Sequence, residues 1–174
     1  MVQFDLQFPI DEVPEYAARY PYADDVDVIA IGQAARERRH YKHNEFIKVC
    51  LWKTPRSARL VELNEAEPIE RMTRLALADS STERERIESL RSLSGVDWAT
   101  ASVFLHLSYP DRYPILDKRA LQALGVPPPS EYSFRFWESY VNACRRLAAQ
   151  ADVNGRTFDQ ALWQWSKEQG VRLS

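Results

Sequence analysis

The chain has 174 residues, 45% of them hydrophobic and 28% charged, with a formal net charge of −2. That length suits one domain with ample core, or two tightly packed helical lobes, and the balance excludes a disordered chain or a polycationic coat for nucleic acid. No apolar run reaches the length of a membrane span, and the two cysteines, Cys50 and Cys144, fit neither a disulfide framework nor a metal-ligand spacing.

Both cysteines read as buried thiols in a reducing compartment. The start of the chain lacks the basic and apolar regions of a secretion signal, so a cytoplasmic location without membrane contact is expected. Met1 to Pro9 reads as an extended arm in which Phe4, Leu6 and Phe8 alternate with mostly polar residues. A short helix follows over Asp11 to Tyr20 and stops at Pro21. Asp24 or Asp25 is expected to cap a longer helix through about Arg39, with Val28, Ile29, Ile31 and Ala35 as its apolar surface and Gly32 as its weak point.

His40 to His43 reads as a turn, with Asn44 capping a helix over Glu45 to Lys53. Phe46, Val49, Cys50 and Lys53 share one face of that helix at the 3.6-residue period. The run Trp52-Lys53-Thr54-Pro55-Arg56-Ser57 then crosses a proline break, gathering an indole, an ammonium and a guanidinium at a helix end. Such a group can hold a nucleic-acid strand or stack on a base, which makes Lys53 and Arg56 candidate DNA contacts and Trp52 a candidate for a base pocket. A core tryptophan flanked by surface cations is the plainer reading of the same residues.

Charge is segregated along the chain. Residues 1–27 carry seven acidic side chains against Arg19 alone, whereas residues 36–59 carry eight basic ones against Glu37 and Glu45. The basic stretch reads either as a phosphate-facing surface or as solvated helix faces partly neutralised by the acidic start.

Arg59 to Leu63 reads as a brief helical turn, and Pro68 as the first position of a helix through Ala78 with Ile69, Met72, Leu75 and Ala76 facing inward. Thr82 and Glu85 form a capping box for a helix over Glu83 to Leu93. The chain then reverses at Ser94-Gly95-Val96-Asp97, where Gly95 supplies left-handed backbone, into a helix from about Trp98 to Leu107. Ala101 lets the two helices approach closely, and His106 reads as a core or boundary histidine. A proline-bounded loop, Tyr109 to Pro114, leads to Asp117 and a short helix ending at Gly125. Pro127 to Pro129 forms a stiff connector within the domain. Phe134, Trp137, Val141, Cys144 and Ala148 stripe a long helix to about Gln150. After a turn at Asn154-Gly155, Thr157 with Gln160 is expected to cap the last helix, which packs Phe158, Ala161, Leu162 and Trp165 inward and ends at Gly170. The fold class is therefore all-α, with about nine or ten helices joined by short connections.

The stretch Leu93-Ser94-Gly95-Val96-Asp97-Trp98-Ala99-Thr100-Ala101, followed by Ile115-Leu116-Asp117-Lys118-Arg119-Ala120-Leu121, resembles the helix-hairpin-helix DNA glycosylases of base-excision repair. In that family a Leu-Pro-Gly-Val-Gly hairpin precedes a Thr-Ala helix start, and a second segment carries the catalytic aspartate. Asp117 follows Ala99, the family's lysine position, by 18 residues, the interval the family uses. The resemblance covers about a fifth of the chain. It implies an array of two lobes, one combining the N- and C-terminal helices and the other the central ones, within a single domain over residues 1–174.

It also implies roles. Gly95, Val96, Asp97, Trp98, Ala99 and Thr100 would grip double-stranded DNA through hairpin amides, aided by Lys118 and by a monovalent cation at the hairpin, with no other cofactor. Asp117 would be the catalytic carboxylate in hydrolysis of the bond between a damaged or modified base and deoxyribose. Three departures qualify the match. Asp97 stands where the family has a second glycine, Ala99 replaces the lysine of the bifunctional lyases, and two cysteines are too few for a four-cysteine iron–sulfur cluster. A monofunctional glycosylase follows, or else a glycosylase-like scaffold that has lost catalysis and binds DNA or a protein. Both aspartates are also good helix N-caps, a role needing no substrate.

Overall fold

A computed structural model describes residues 2–21 and 25–170. Ten α-helices and two 3-10 turns, Ile10–Glu12 and Pro55–Ser57, make up the regular structure of the described residues, with no strand among them: α1 Val13–Ala18, α2 Val26–Arg38, α3 His43–Lys53, α4 Ala58–Val61, α5 Ala66–Leu77, α6 Glu83–Arg91, α7 Trp98–Ser108, α8 Lys118–Ala123, α9 Phe134–Gln150 and α10 Gly155–Glu168. No described helix is long and apolar enough to cross a membrane. The chain sorts into two compact units, Met1–Tyr22 with Asp111–Ser174, and Ala23–Pro110.

In the first unit the N-terminal arm runs extended along the end of α8. Asp5 N–H donates to the Leu124 carbonyl at 3.0 Å and Gln7 N–H to that of Ala123 at 2.9 Å. The arm's alternation buries Phe4 and Phe8, with Phe4 edge-on to Phe136 and Phe8 stacked on Trp165. α1, α8 and α9 all pack against α10. Phe136, Trp137, Tyr140, Val141, Cys144, Leu147 and Ala148 form the buried face of α9, with Phe134 only half-buried at its start.

The second unit is built around α7, every residue of which except Ala99 is buried. α2 crosses it at Gly32, where a Cβ would lie 2.3 Å from the Leu107 carbonyl oxygen. The glycine expected to weaken α2 is thus the residue that lets two backbones meet. The Tyr41 hydroxyl, fully buried, donates to the Phe104 carbonyl at 2.8 Å and meets Ser108 Oγ at 2.7 Å, fastening the turn after α2 to α7. His106 is a core residue, and Cys50 and Cys144 are both buried free thiols.

Several helix starts differ from expectation. Asp25 holds the cap position of α2 but makes no capping hydrogen bond, because its backbone is already helical (φ −73°, ψ −3°); Asp24 lies outside the described residues. α3 begins two residues early, at His43, since the extended residue is Lys42, whose N–H donates to Glu45 at 2.9 Å, and Asn44 lies inside the helix rather than capping it. α5 opens at Ala66, with Pro68 as its third residue. α10 is capped by Asn154, which accepts from Thr157 N–H at 2.8 Å, so Thr157 donates to a cap rather than being one. Leu75 faces outward, 41% exposed, while Thr73 and Leu77 take the inward positions beside Ile69 and Ala76.

Candidate nucleic-acid interface and carboxylate site

The hairpin forms as its residues dictate. Thr82 accepts from Glu85 N–H, and Glu85 accepts from Thr82 N–H at 2.8 Å, closing the capping box that starts α6. Gly95 takes φ +78°, and a Cβ there would stand 2.8 Å from Val61 Cγ2 and 3.1 Å from Leu60 Cβ. The turn is therefore pressed against α4. Asn64, buried in the chain after α4, secures it from both directions: Ser94 N–H donates to Asn64 Oδ1 at 2.8 Å, and Asn64 Nδ2 donates to the Ser94 carbonyl at 2.9 Å. Nothing in the local sequence pairs positions 64 and 94, and Asn64 is the hairpin residue that pattern reading misses.

Asp97 caps α7 by accepting from Thr100 N–H at 2.7 Å. Val96 N–H goes to the Leu93 carbonyl and Ala101 N–H to that of Asp97. Among the described residues the N–H groups of Gly95, Asp97, Trp98 and Ala99 have no hydrogen-bond acceptor, which leaves consecutive donors at the start of α7. The Trp98 ring is buried beneath the Arg91 guanidinium, 4.0 Å from the ring centroid, and contributes its amide rather than its indole to the surface. Burial, with the Asp97 charge as a second cause, pushes the Cys50 thiol up to about 12, so it stays protonated.

The basic stretch is less free than its composition suggests. Arg38 forms a two-pronged pair with Glu45, both contacts at 2.9 Å, and Arg39 binds Asp79 at 2.7 Å. Arg36 lies over the Tyr109 ring. Lys42, Lys48, Arg56 and Arg59 remain exposed, with no ion pair among the described residues. Lys53 is half-buried, and Trp52 at the end of α3 is 39% exposed, so the indole is neither core nor enclosed in a pocket.

Asp117 and Lys118 belong to the other unit. Asp117 is half-buried, extended (φ −147°, ψ 170°), and caps α8 by accepting from Ala120 N–H at 2.8 Å. Lys118 is exposed. Two residues upstream, Ile115 is held on both sides of its backbone, by Asp159 at 2.8 Å on its N–H and by the Tyr140 hydroxyl at 2.7 Å on its carbonyl. Asp159 also faces Arg156 Nη1 at 3.5 Å. Among the described residues no group of His, Cys, Asp and Glu side chains has the arrangement to hold a metal ion.

No protein family matches the chain, nor does any curated protein or solved structure.

Proposed function

We propose that this chain is a monofunctional DNA N-glycosylase of the helix-hairpin-helix kind, with Asp117 as its catalytic carboxylate. The observation that carries the reading is the row of unpaired N–H groups at Gly95, Asp97, Trp98 and Ala99, followed at the family interval by a half-buried aspartate at a helix start. Consecutive backbone donors suit a phosphate, and a carboxylate suits the positive charge that builds on a sugar as its base departs.

In the reaction, the bond between C1′ and the base nitrogen breaks with its electron pair leaving on the base, which takes up a proton. The Asp117 carboxylate stabilises the cationic sugar and orients water, whose oxygen bonds to C1′ as its proton is lost. The target nucleotide must leave the stack to reach the carboxylate, so the hairpin, aided by Lys53, Arg56 and Lys118, holds the backbone meanwhile; a monovalent cation, if bound, would sit at the hairpin and supply positive charge toward the phosphate. With alanine at position 99 no amine attacks the sugar, and the product is an intact abasic site. Trp52, exposed at the end of α3, is the candidate to stack against a base.

The test is base release from duplexes carrying oxidised, alkylated or deaminated bases, with Asp117→Asn as control. Asparagine retains the shape and the capping oxygen, so folding should survive while release falls by about a hundredfold or more. Full activity in Asp117→Asn would reduce this residue to a helix cap, and borohydride trapping of a protein–DNA adduct would overturn the monofunctional assignment.

Asn64 and Asp97 favour a second reading, a scaffold that binds DNA or a protein without catalysis. Asn64 takes up the Ser94 amide internally, and Asp97 puts a carboxylate beside any phosphate the hairpin would hold. Binding to abasic-analogue duplex with no release from any substrate would select it.

A further inference from the structure

The segment that delivers Asp117 is extended and lacks helical hydrogen bonds of its own, and Ile115 within it is 8% exposed. A buried peptide in such a segment must find partners elsewhere. Its N–H finds Asp159, 44 positions later on α10, and its carbonyl finds the Tyr140 hydroxyl, 25 positions later on α9. Both side chains are interior, Tyr140 fully buried and Asp159 only 7% exposed. Burying a carboxylate is expensive, and the guanidinium of Arg156 at 3.5 Å offsets part of the cost.

We infer that Tyr140 and Asp159 are positioning residues for Asp117, a two-sided clamp on Ile115 that fixes the direction in which the Asp117 carboxylate leaves the backbone. For its catalytic consequence the inference rests on the glycosylase reading; for the geometry it rests on the two hydrogen bonds alone. The need is general: an electrostatic catalyst works only if its charge is held where positive charge develops. Capping Ala120 fixes the carboxylate from the helix side, and the clamp fixes the chain entering it. Burial, followed by the nearby Cys144, Asp159 and Asp117, pushes the Tyr140 phenol well above its ordinary value, so it stays a neutral donor to Ile115.

The experiment reads amide hydrogen exchange at Ala120, whose N–H the Asp117 carboxylate accepts, in Tyr140→Phe, Asp159→Ala and Asp159→Asn. Thr100 N–H, bonded in the same way to Asp97 in the other unit, is the internal reference, with the α9 amides as a second. Tyr140→Phe removes one oxygen and keeps the packing, so it tests the clamp even if Asp159→Ala fails to fold. Ala120 exchange should rise by about tenfold or more in Tyr140→Phe and Asp159→Ala while the references stay within about twofold. Asp159→Asn, which keeps an acceptor for Ile115, should recover most of the protection. Base release should fall in kcat with KM nearly unchanged, as for loss of an interaction needed only in the transition state. Unchanged Ala120 exchange in Tyr140→Phe, or acceleration shared equally with Thr100 and α9, would overturn the clamp. A wild-type chain that releases no base from any duplex would sink the glycosylase reading instead, with Ala120 exchange still deciding the clamp.

Discussion

Asp97 and Asp117 occupy equivalent backbone positions, each extended before a helix and each accepting the N–H three residues on. Their surroundings separate them. Asp97 is exposed beside open hairpin amides, where its charge repels a phosphate, whereas Asp117 is half-buried behind a clamped peptide. Replacing Asp97 by glycine should therefore tighten DNA binding at a cost in stability of only about a few tenths of a kcal/mol, since glycine is itself tolerated at a helix cap, both readable by titration and urea unfolding. Gly95 is held by two constraints at once, its φ of +78° and the 2.8 Å approach of Val61. Gly95→Val forces a β-branched residue into left-handed backbone and drives it into α4, so urea unfolding should show a loss of about 2–4 kcal/mol. Unchanged stability would mean that the hairpin does not rest on α4.

At the scale of elements, α2 and α3 are tied by Arg38 and Glu45 across the turn that also carries Tyr41. Burial raises the Glu45 carboxyl, but hydrogen bonds from Arg38 and from Lys42 N–H outweigh it and hold the group below its ordinary range. A carboxyl depressed in the folded state stabilises the protein fully above its unfolded pKa, about 4.3, and loses that contribution as pH falls through the lower folded value. Urea midpoints should therefore drop for the wild type as pH is lowered from about 6 towards 3, and drop less for Glu45→Gln. Parallel curves for the two proteins would show that this pair does not contribute to acid sensitivity.

For the whole molecule, the pairing of Arg38 and Arg39 turns a local surplus of cations into a modest one. Lys42, Lys48, Arg56 and Arg59 are the exposed bases of that stretch, and half-buried Lys53 and exposed Lys118 add to the cations the proposed reading turns toward phosphates, alongside the hairpin amides, which carry no net charge. Affinity for duplex DNA should be weak, and the slope of log K against log salt no steeper than about −5.5. A slope near −8 would mean that the paired arginines open on binding. No binding at low salt to normal, lesion-containing or abasic-analogue duplex would rule out the nucleic-acid reading altogether.

The features legible in the sequence are those whose partners lie within one helical turn. The Thr82–Glu85 box, the Asp97 and Asp117 caps and the apolar stripe of α9 each depend on residues three or four apart, which backbone geometry alone links, and the left-handed backbone at Gly95 depends on that residue's own lack of a Cβ. Where two residues compete for one local role, as Asn154 and Thr157 do for the start of α10, pattern leaves the choice open and the extended backbone at Asn154 decides it. The contacts that shape both candidate sites have no local signature. Gly32 admits the Leu107 backbone, Asn64 grips Ser94, and Tyr140 and Asp159 hold Ile115, across separations of 25 to 75 residues. Buried polar groups take whichever partner the packed helices bring within about 3 Å, and that is settled only when the chain has closed on itself.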